Sequence, residues 1–475
     1  MKLSSSIAGG VLGSLALLSL APDAHAQSWS SPGGGASGWV YASTVWNGKL
    51  VVGGAFTFAG GTPANHVAMW NGSTWQALGA GFDGDVWALT VYNGKLIAGG
   101  TFIFSGGVEV KYIAEWTGSA WTDLEGGMDN RVVALTTYKG SLIAGGYFND
   151  ADGPANHVAR WDGHSWFPLG SGTAGGTQGQ VMALTVHGDD LIAGGFISSA
   201  GGIAANHVAK WNGSTWSPLA AGVNGIVYSL ASNGSTLAAG CLNGIQGWNG
   251  AAWSPLGTGT VGGTYPYVLA LAVYGGDFFA GGLFKSIGGV PAEGFARWNG
   301  TEWTADAGGV FNGGATSGLY TLTPYGTSLA AGGIFYSAGG VSSGDVAIWN
   351  QPYFDHGVGC SGIGGIPQLS GVGVPEANSV AGLQVTHGRP LGTGLLLLGT
   401  QANAAPFFGC SLLVGGTLVG PLSFGLNGAG AATLTTTFPA SVPTGVGVRA
   451  QFFGLDANAA NGQFSASNEL LLVVQ

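Results

Sequence analysis

"ANHVAMWNGSTW", residues 64–75, returns as "ANHVARWDGHSW" at 155–166 and "ANHVAKWNGSTW" at 205–216. Such self-similarity decides the architecture before any single residue can. Extended in both directions, the unit reads V-x-A-L-x-x-Y-x-G-x-L-I-A-G-G-x-F and then A-G-G-x-x-A-N-H-V-A-x-W-N-G-S-T-W-x-x-L-G. Its first hairpin tryptophan falls at 70, 116, 161, 211, 248, 298 and 349. The second glycine of the GG step falls at 54, 100, 146, 195, 282 and 333, with Cys241 standing in the fifth place. Seven units of about 46 residues are the result.

Each unit holds four short apolar, β-branched or aromatic runs separated by Gly and Asn turn signals, the pattern of a four-stranded antiparallel meander. "VWALTVY" (86–92) reads as strand a, "KLIAGGTF" (95–102) as b, "HVAMW" (66–70) as c and "TWQAL" (74–78) as d. Four strands per 40–50 residues is the signature of a β-propeller blade. The seventh unit lacks a second tryptophan, while an unpartnered "QSWSSPGGG" precedes the first. Trp29 lies 11 residues before Val40, as Trp75 lies 11 before Val86, so the N-terminal segment is expected to supply the missing strand and close the ring. Closure removes two exposed sheet edges.

Composition bounds the rest. Lys2, the apolar run "IAGGVLGSLALLSLA" and "AHA" at 24–26 form the three regions of a secretory signal peptide, residues 1–26. The protein is therefore expected to be secreted or held at the cell surface, and no later stretch is apolar enough for a membrane span. Gly is 93 of 475 residues, yet plentiful Trp, Phe, Val and Leu exclude collagen-like and disordered readings. With 12 Lys and Arg against 22 acids, nucleic acid is excluded as a partner, since it needs clustered cations.

The repeat resembles kelch-like propellers, and more closely the secreted bacterial and fungal propellers related to cortical polarity markers. The resemblance rests on Gly53 to Phe56, Ala59 to Gly61, Ala64, Asn65 and Ala68 to Trp75, with similar copies over residues 27–350. It implies a fold more than an activity. The two Tyr and two His that hold copper in galactose oxidase have no counterpart here. Neither does the sialidase box S-x-D-x-G-x-x-W.

From residue 351 the repeat stops. Runs such as "GLLLLGT", "CSLLVGG" and "GVRAQFFGLD" read as a small all-β, sandwich-like domain over 351–475. It is similar to C-terminal domains appended to secreted bacterial proteins, which implies an accessory or attachment module. Cys360 and Cys410 are candidates for a disulfide in an exported chain, and Cys241 reads as a small buried apolar residue. No cofactor is implied. Asp456, Asn458 and Asn461 could offer oxygens to calcium, but Asx turns explain them equally.

A propeller sends its a-to-b and c-to-d turns to one face and its longer b-to-c and d-to-a connections to the other. Recognition is expected on the second, variable face. From the GG step to the strand c Trp the distance is 15 or 16 residues in six units but 7 in the fifth, and the next two d-to-a connections are lengthened. A notch is expected near blades five and six, with Tyr265, Tyr267, Phe311, Asn312, Asp306 and Glu293 as candidate ligand-binding residues. Aromatics with a few polar groups suit an extracellular polysaccharide or protein. Binding without catalysis is the leading reading. An extracellular carbohydrate-active enzyme using Glu293 and Asp306, and a structural surface protein, are the alternatives. The Asn-His pairs themselves are read as scaffold, hydrogen-bonded to loop backbone, because pairs in neighbouring blades are too far apart to share a metal.

Overall fold

The computed structural model describes residues 28–174, 180–262, 266–305, 308–311, 317–326 and 328–350, together with the strands between 353 and 473. Blade one shows how the unit folds. Strand a (Val40–Trp46) turns through Asn47 and Gly48, at φ 50° and 72°, into strand b (Lys49–Gly54). Two successive positive φ values make the hairpin turn that matches the twist of its strands. Strand c (Val67–Trp70) follows, then strand d (Trp75–Ala77), all antiparallel in the order a-b-c-d. The c-to-d turn is an Asx turn, with Asn71 Oδ1 accepting from the Ser73 and Thr74 backbone N–H at 2.9 and 2.8 Å.

Six further four-stranded sheets occur among the described residues, with first strands Val86–Tyr92, Val132–Tyr138, Gln180–His187, Val227–Ser232, Val268–Tyr274 and Gly318–Tyr325. Each first strand packs on the next, and that of the last sheet packs on that of blade one. The chain is a β-propeller. Its closing sheet pairs strand c (Val346–Asn350) with Ser28–Ser30, in the register Trp29 to Trp349 that matches Trp75 to Trp70.

Two residues of the repeat hold blade to blade. A Cβ on Gly53 would meet Val86 of the next blade, and one on Gly332 would meet Val40 across the closure. The missing side chain lets adjacent sheets approach. The strand d tryptophan supplies a polar clamp: Trp121 donates its indole N–H to the Leu78 carbonyl of the preceding blade at 3.0 Å, and Trp166 to Leu124 at 2.9 Å. Trp75 donates to Pro32 at 2.7 Å, so the N-terminal segment fills the place of a preceding blade. Buried indole donors left unpaired would each cost about 1–3 kcal/mol.

Beyond the propeller, ten strands between Tyr353 and Val473 form antiparallel sheets of five, three and two strands among the described residues. The signal-peptide segment, Cys360, and the trio Asp456, Asn458 and Asn461 lie outside the described residues.

Candidate functional site

In each of the seven sheets the register between strands a and b slips once, between Val40 and Ala42, Val86 and Ala88, Val132 and Ala134, Val181 and Ala183, Val227 and Ser229, Val268 and Ala270, and Leu319 and Thr321. A bulge leaves one residue out of the ladder and re-aims its side chain. Those residues are Tyr41, Trp87, Val133, Met182, Tyr228, Leu269 and Tyr320, and all seven line one cavity of about 440 Å³ on the propeller axis. Arg131, Tyr147, Tyr267 and Leu283 complete its wall. All four sit where strand a begins or strand b ends, so this cup opens on the variable face.

The wall is built in pairs. In blades one, two, three and six the residue after the GG step donates its N–H to the carbonyl of the residue preceding strand a, as Tyr147 does to Arg131 at 3.0 Å and Leu283 to Tyr267 at 2.9 Å. The first bond sets the Arg131 guanidinium 3.6 Å from the centre of the Tyr147 ring. Elsewhere the aromatics meet each other. Tyr41 stacks on Trp87 with centroids 4.0 Å apart and planes 8° apart, Tyr320 meets Tyr41 edge-on at 5.5 Å, and Tyr228 lies 4.8 Å from Tyr267. Trp39, 45% exposed, extends this surface over Tyr41. The Trp87 indole N–H is buried without an acceptor among the described residues.

Burial raises the Tyr41, Tyr228 and Tyr320 phenols above their usual range, that of Tyr228 to about 12 with Tyr267 adding to the effect. At neutral pH these phenols stay protonated and act as hydrogen-bond donors. Below the cup a second axial space of about 270 Å³ is ringed by Leu89, Leu135, Leu184, Leu230, Leu271 and Leu322, with Ser43 in the seventh place. Ser43 bonds to the Thr321 and Thr323 hydroxyls at 2.8 and 2.7 Å. Ser229 and Thr321 also line this lower space, so polar groups continue along the axis beneath the aromatic cup.

Of the residues singled out from sequence, Tyr267 is in the cup. Glu293 is exposed in the b-to-c loop of blade six at φ 40°, its carbonyl accepting from Val310 N–H at 2.7 Å. Phe311, 58% exposed, pairs with Ser337 in a small outer sheet. Neither lines the axial cavity. Tyr265, Asp306 and Asn312 lie outside the described residues. At the shortened fifth loop, the following d-to-a connection folds back over the turn: Thr260 N–H donates to the Asn243 carbonyl at 3.1 Å and Asn243 N–H to Pro266 at 3.3 Å. Leu242 bridges to Tyr267 there, which draws Tyr267 toward the axis.

Two of the three Asn-His pairs bond to backbone through both side chains, to two partners, while His207 Nδ1 is buried without a partner among the described residues. His66 Nδ1 meets the Gly54 carbonyl at 3.0 Å within its blade, while Asn65 Nδ2 donates to Ala80 in the d-to-a connection at 3.2 Å. Asn156 and Asn206 repeat the second bond to Ser171 and Ala221. Burial lowers the His157 pKa, which favours the neutral ring. Cys241 is buried and its thiol is pushed up to about 12, as an inert core residue requires. "NDADG" (149–153) is a turn, with Asp150 Oδ1 accepting from Gly153 N–H at 2.8 Å. No group of three or more metal-ligating side chains occurs among the described residues.

A beta-propeller family matches part of this chain. The family is described as "Domain of unknown function (DUF5122) beta-propeller", and the match covers residues 47–68, from the first hairpin turn to the first strand c. No curated protein matches. Among solved structures, the chain is similar to one described as the extracellular domain of a hybrid two component system, BT4673 from B. thetaiotaomicron. That similarity has a TM-score of 0.48 and 9% identity, over 76% of this chain and 45% of that one. YjhT is similar with a TM-score of 0.31 and 12% identity, over 66% of this chain and 95% of its own. No helix among the described residues is long and apolar enough to cross a membrane.

Proposed function

We propose that this chain is an exported, seven-bladed, kelch-like propeller over residues 27–350 with a sandwich-like accessory domain over 351–475, and that it binds a carbohydrate without catalysis in the axial cup. One observation carries the reading: seven bulges turn one residue per blade toward the axis, and Tyr41, Trp87, Tyr228 and Tyr320 are four of them. With Tyr147 and Tyr267 they give apolar ring faces beside phenolic donors. Stacked C–H faces and hydroxyl hydrogen bonds are what a sugar asks of a protein. About 440 Å³ also falls in the range of sites for small ligands or chain ends. Phenols held protonated by burial favour hydrogen bonding over proton abstraction.

The test is passage of the full mature chain over a panel of polysaccharides, reading both retention and released product. Retention is expected, and it should fall at least tenfold in Y228A/Y267A with the circular dichroism spectrum unchanged. Released oligosaccharide that disappears in that variant would make the protein an enzyme. Retention on no glycan, with capture by an extracellular protein instead, would replace the sugar by a protein ligand.

A further inference from the structure

The aromatic wall explains why a sugar would fit and leaves Arg131 unexplained. Of the three arginines within residues 28–350, Arg297 pairs with Asp277 and Arg160 reaches the Ser141 hydroxyl at 3.4 Å and the Phe167 ring. The Arg131 side chain makes neither a hydrogen bond nor an ion pair among the described residues, and only the Tyr147 ring faces it. The acid two residues before it is engaged elsewhere: Asp129 Oδ1 accepts from the Asn149 and Asp150 backbone N–H at 2.8 and 3.1 Å. Asp85, whose charge reaches Tyr41 in the cup, lies 3.5 Å from His66.

A half-buried guanidinium with no carboxylate beside it keeps its planar fork of donors for something else. It is also the one charged side chain among the described residues of the cup wall, in a chain of net charge -10. Stacking on Tyr147 fixes the plane of the fork, so little freedom is lost when an anion docks. Resting on the glycan reading above, we infer that the ligand is an acidic sugar. A uronate ring lies against the aromatic wall and its carboxylate takes the Arg131 fork from blade three. The strongly negative protein repels a densely charged polymer at long range, so short oligomers or sparsely charged chains are favoured.

The experiment titrates the full mature chain with short oligomers of galacturonate, glucuronate and mannuronate, and with their methyl esters, following heat and tryptophan fluorescence. At least one free acid should bind about 10- to 100-fold more tightly than its ester, and R131Q should remove that difference while leaving the ester within about twofold. R131K should recover part of it, since an ammonium keeps the charge and loses the fork. Acid and ester binding alike, with R131Q silent, would overturn the acidic ligand and leave the sugar cup standing. A peptide bound through its free C-terminal carboxylate, with no uronate bound, would overturn the sugar class. If no glycan binds, acidic or neutral, the cup reading falls with it.

Discussion

Replacing Trp29 by Ala measures how much of the ring depends on its first strand. Trp29 is 5% exposed, pairs with Trp349, and meets Phe295 edge-on at 4.9 Å within a cluster that includes Phe279, Leu329 and Phe335. Burying roughly 200 Å² of indole at ~25 cal/mol per Å² gives about 5 kcal/mol, and measured aromatic truncations in cores fall at about 3–5 kcal/mol. Trp121, its counterpart in blade two, is 2% exposed and provides the comparison. Urea unfolding followed by fluorescence should show W29A and W121A destabilised to similar extents. Amide exchange should show Ile348 and Asn350 losing protection in W29A, because their amides face Ser28–Ser30 as the Asn71 amide faces Thr74 in blade one. A W29A protein within about 0.5 kcal/mol of wild type, beside a W121A protein that loses several, would refute the reasoning.

Two other outcomes are expected. G145A places a methyl 2.6 Å from Val181 Cγ1 in the next blade and should cost about 1–3 kcal/mol by overpacking. G146A drives its methyl into the Arg131 backbone carbonyl, which cannot rotate away, so urea midpoints should rank G146A below G145A; the reverse order would contradict the assigned packing. Burial raises Asp345 from 3.8 to about 6 while its carboxyl accepts from Phe335 N–H at 2.7 Å. The raised value means that its contribution is full below about pH 4 and is lost as pH rises through 6. D345N keeps an acceptor and suits φ 57°, so it should gain on wild type by up to about 3 kcal/mol between pH 4 and 7 in urea titrations. A gain that shrinks with rising pH would overturn this.

The strands and turns were legible because the repeat states them seven times: "VWALTVY" is strand Val86–Tyr92 to the residue, and the spacing from Trp29 to Val40 announced the closing strand. The cup was not read. Alternation assigns strand a side chains to one neighbouring blade or the other, and only the bulge turns Tyr41 or Trp87 toward the axis. A signal was present, the variable x of V-x-A-L, which is Tyr, Trp, Val, Met, Tyr, Leu and Tyr around the ring. Loop length pointed instead to blades five and six. A count of residues cannot show that the connection through Thr260 and Pro266 folds over the short turn at Asn243.

Closure by Ser28–Ser30 also dictates an order of events. The Asn350 to Ser30 contact spans 320 residues, and each doubling of a loop adds about 0.6 kcal/mol of entropy. Closing the ring rather than one repeat of about 46 residues therefore adds roughly 1.7 kcal/mol. Completion of the seventh blade last is the order that this cost favours. Until then the chain is an open arc, with a bare strand edge at one end and a free tryptophan strand at the other. Two such arcs can satisfy each other's ends, so concentration during folding governs whether the product is a closed ring or an exchanged pair.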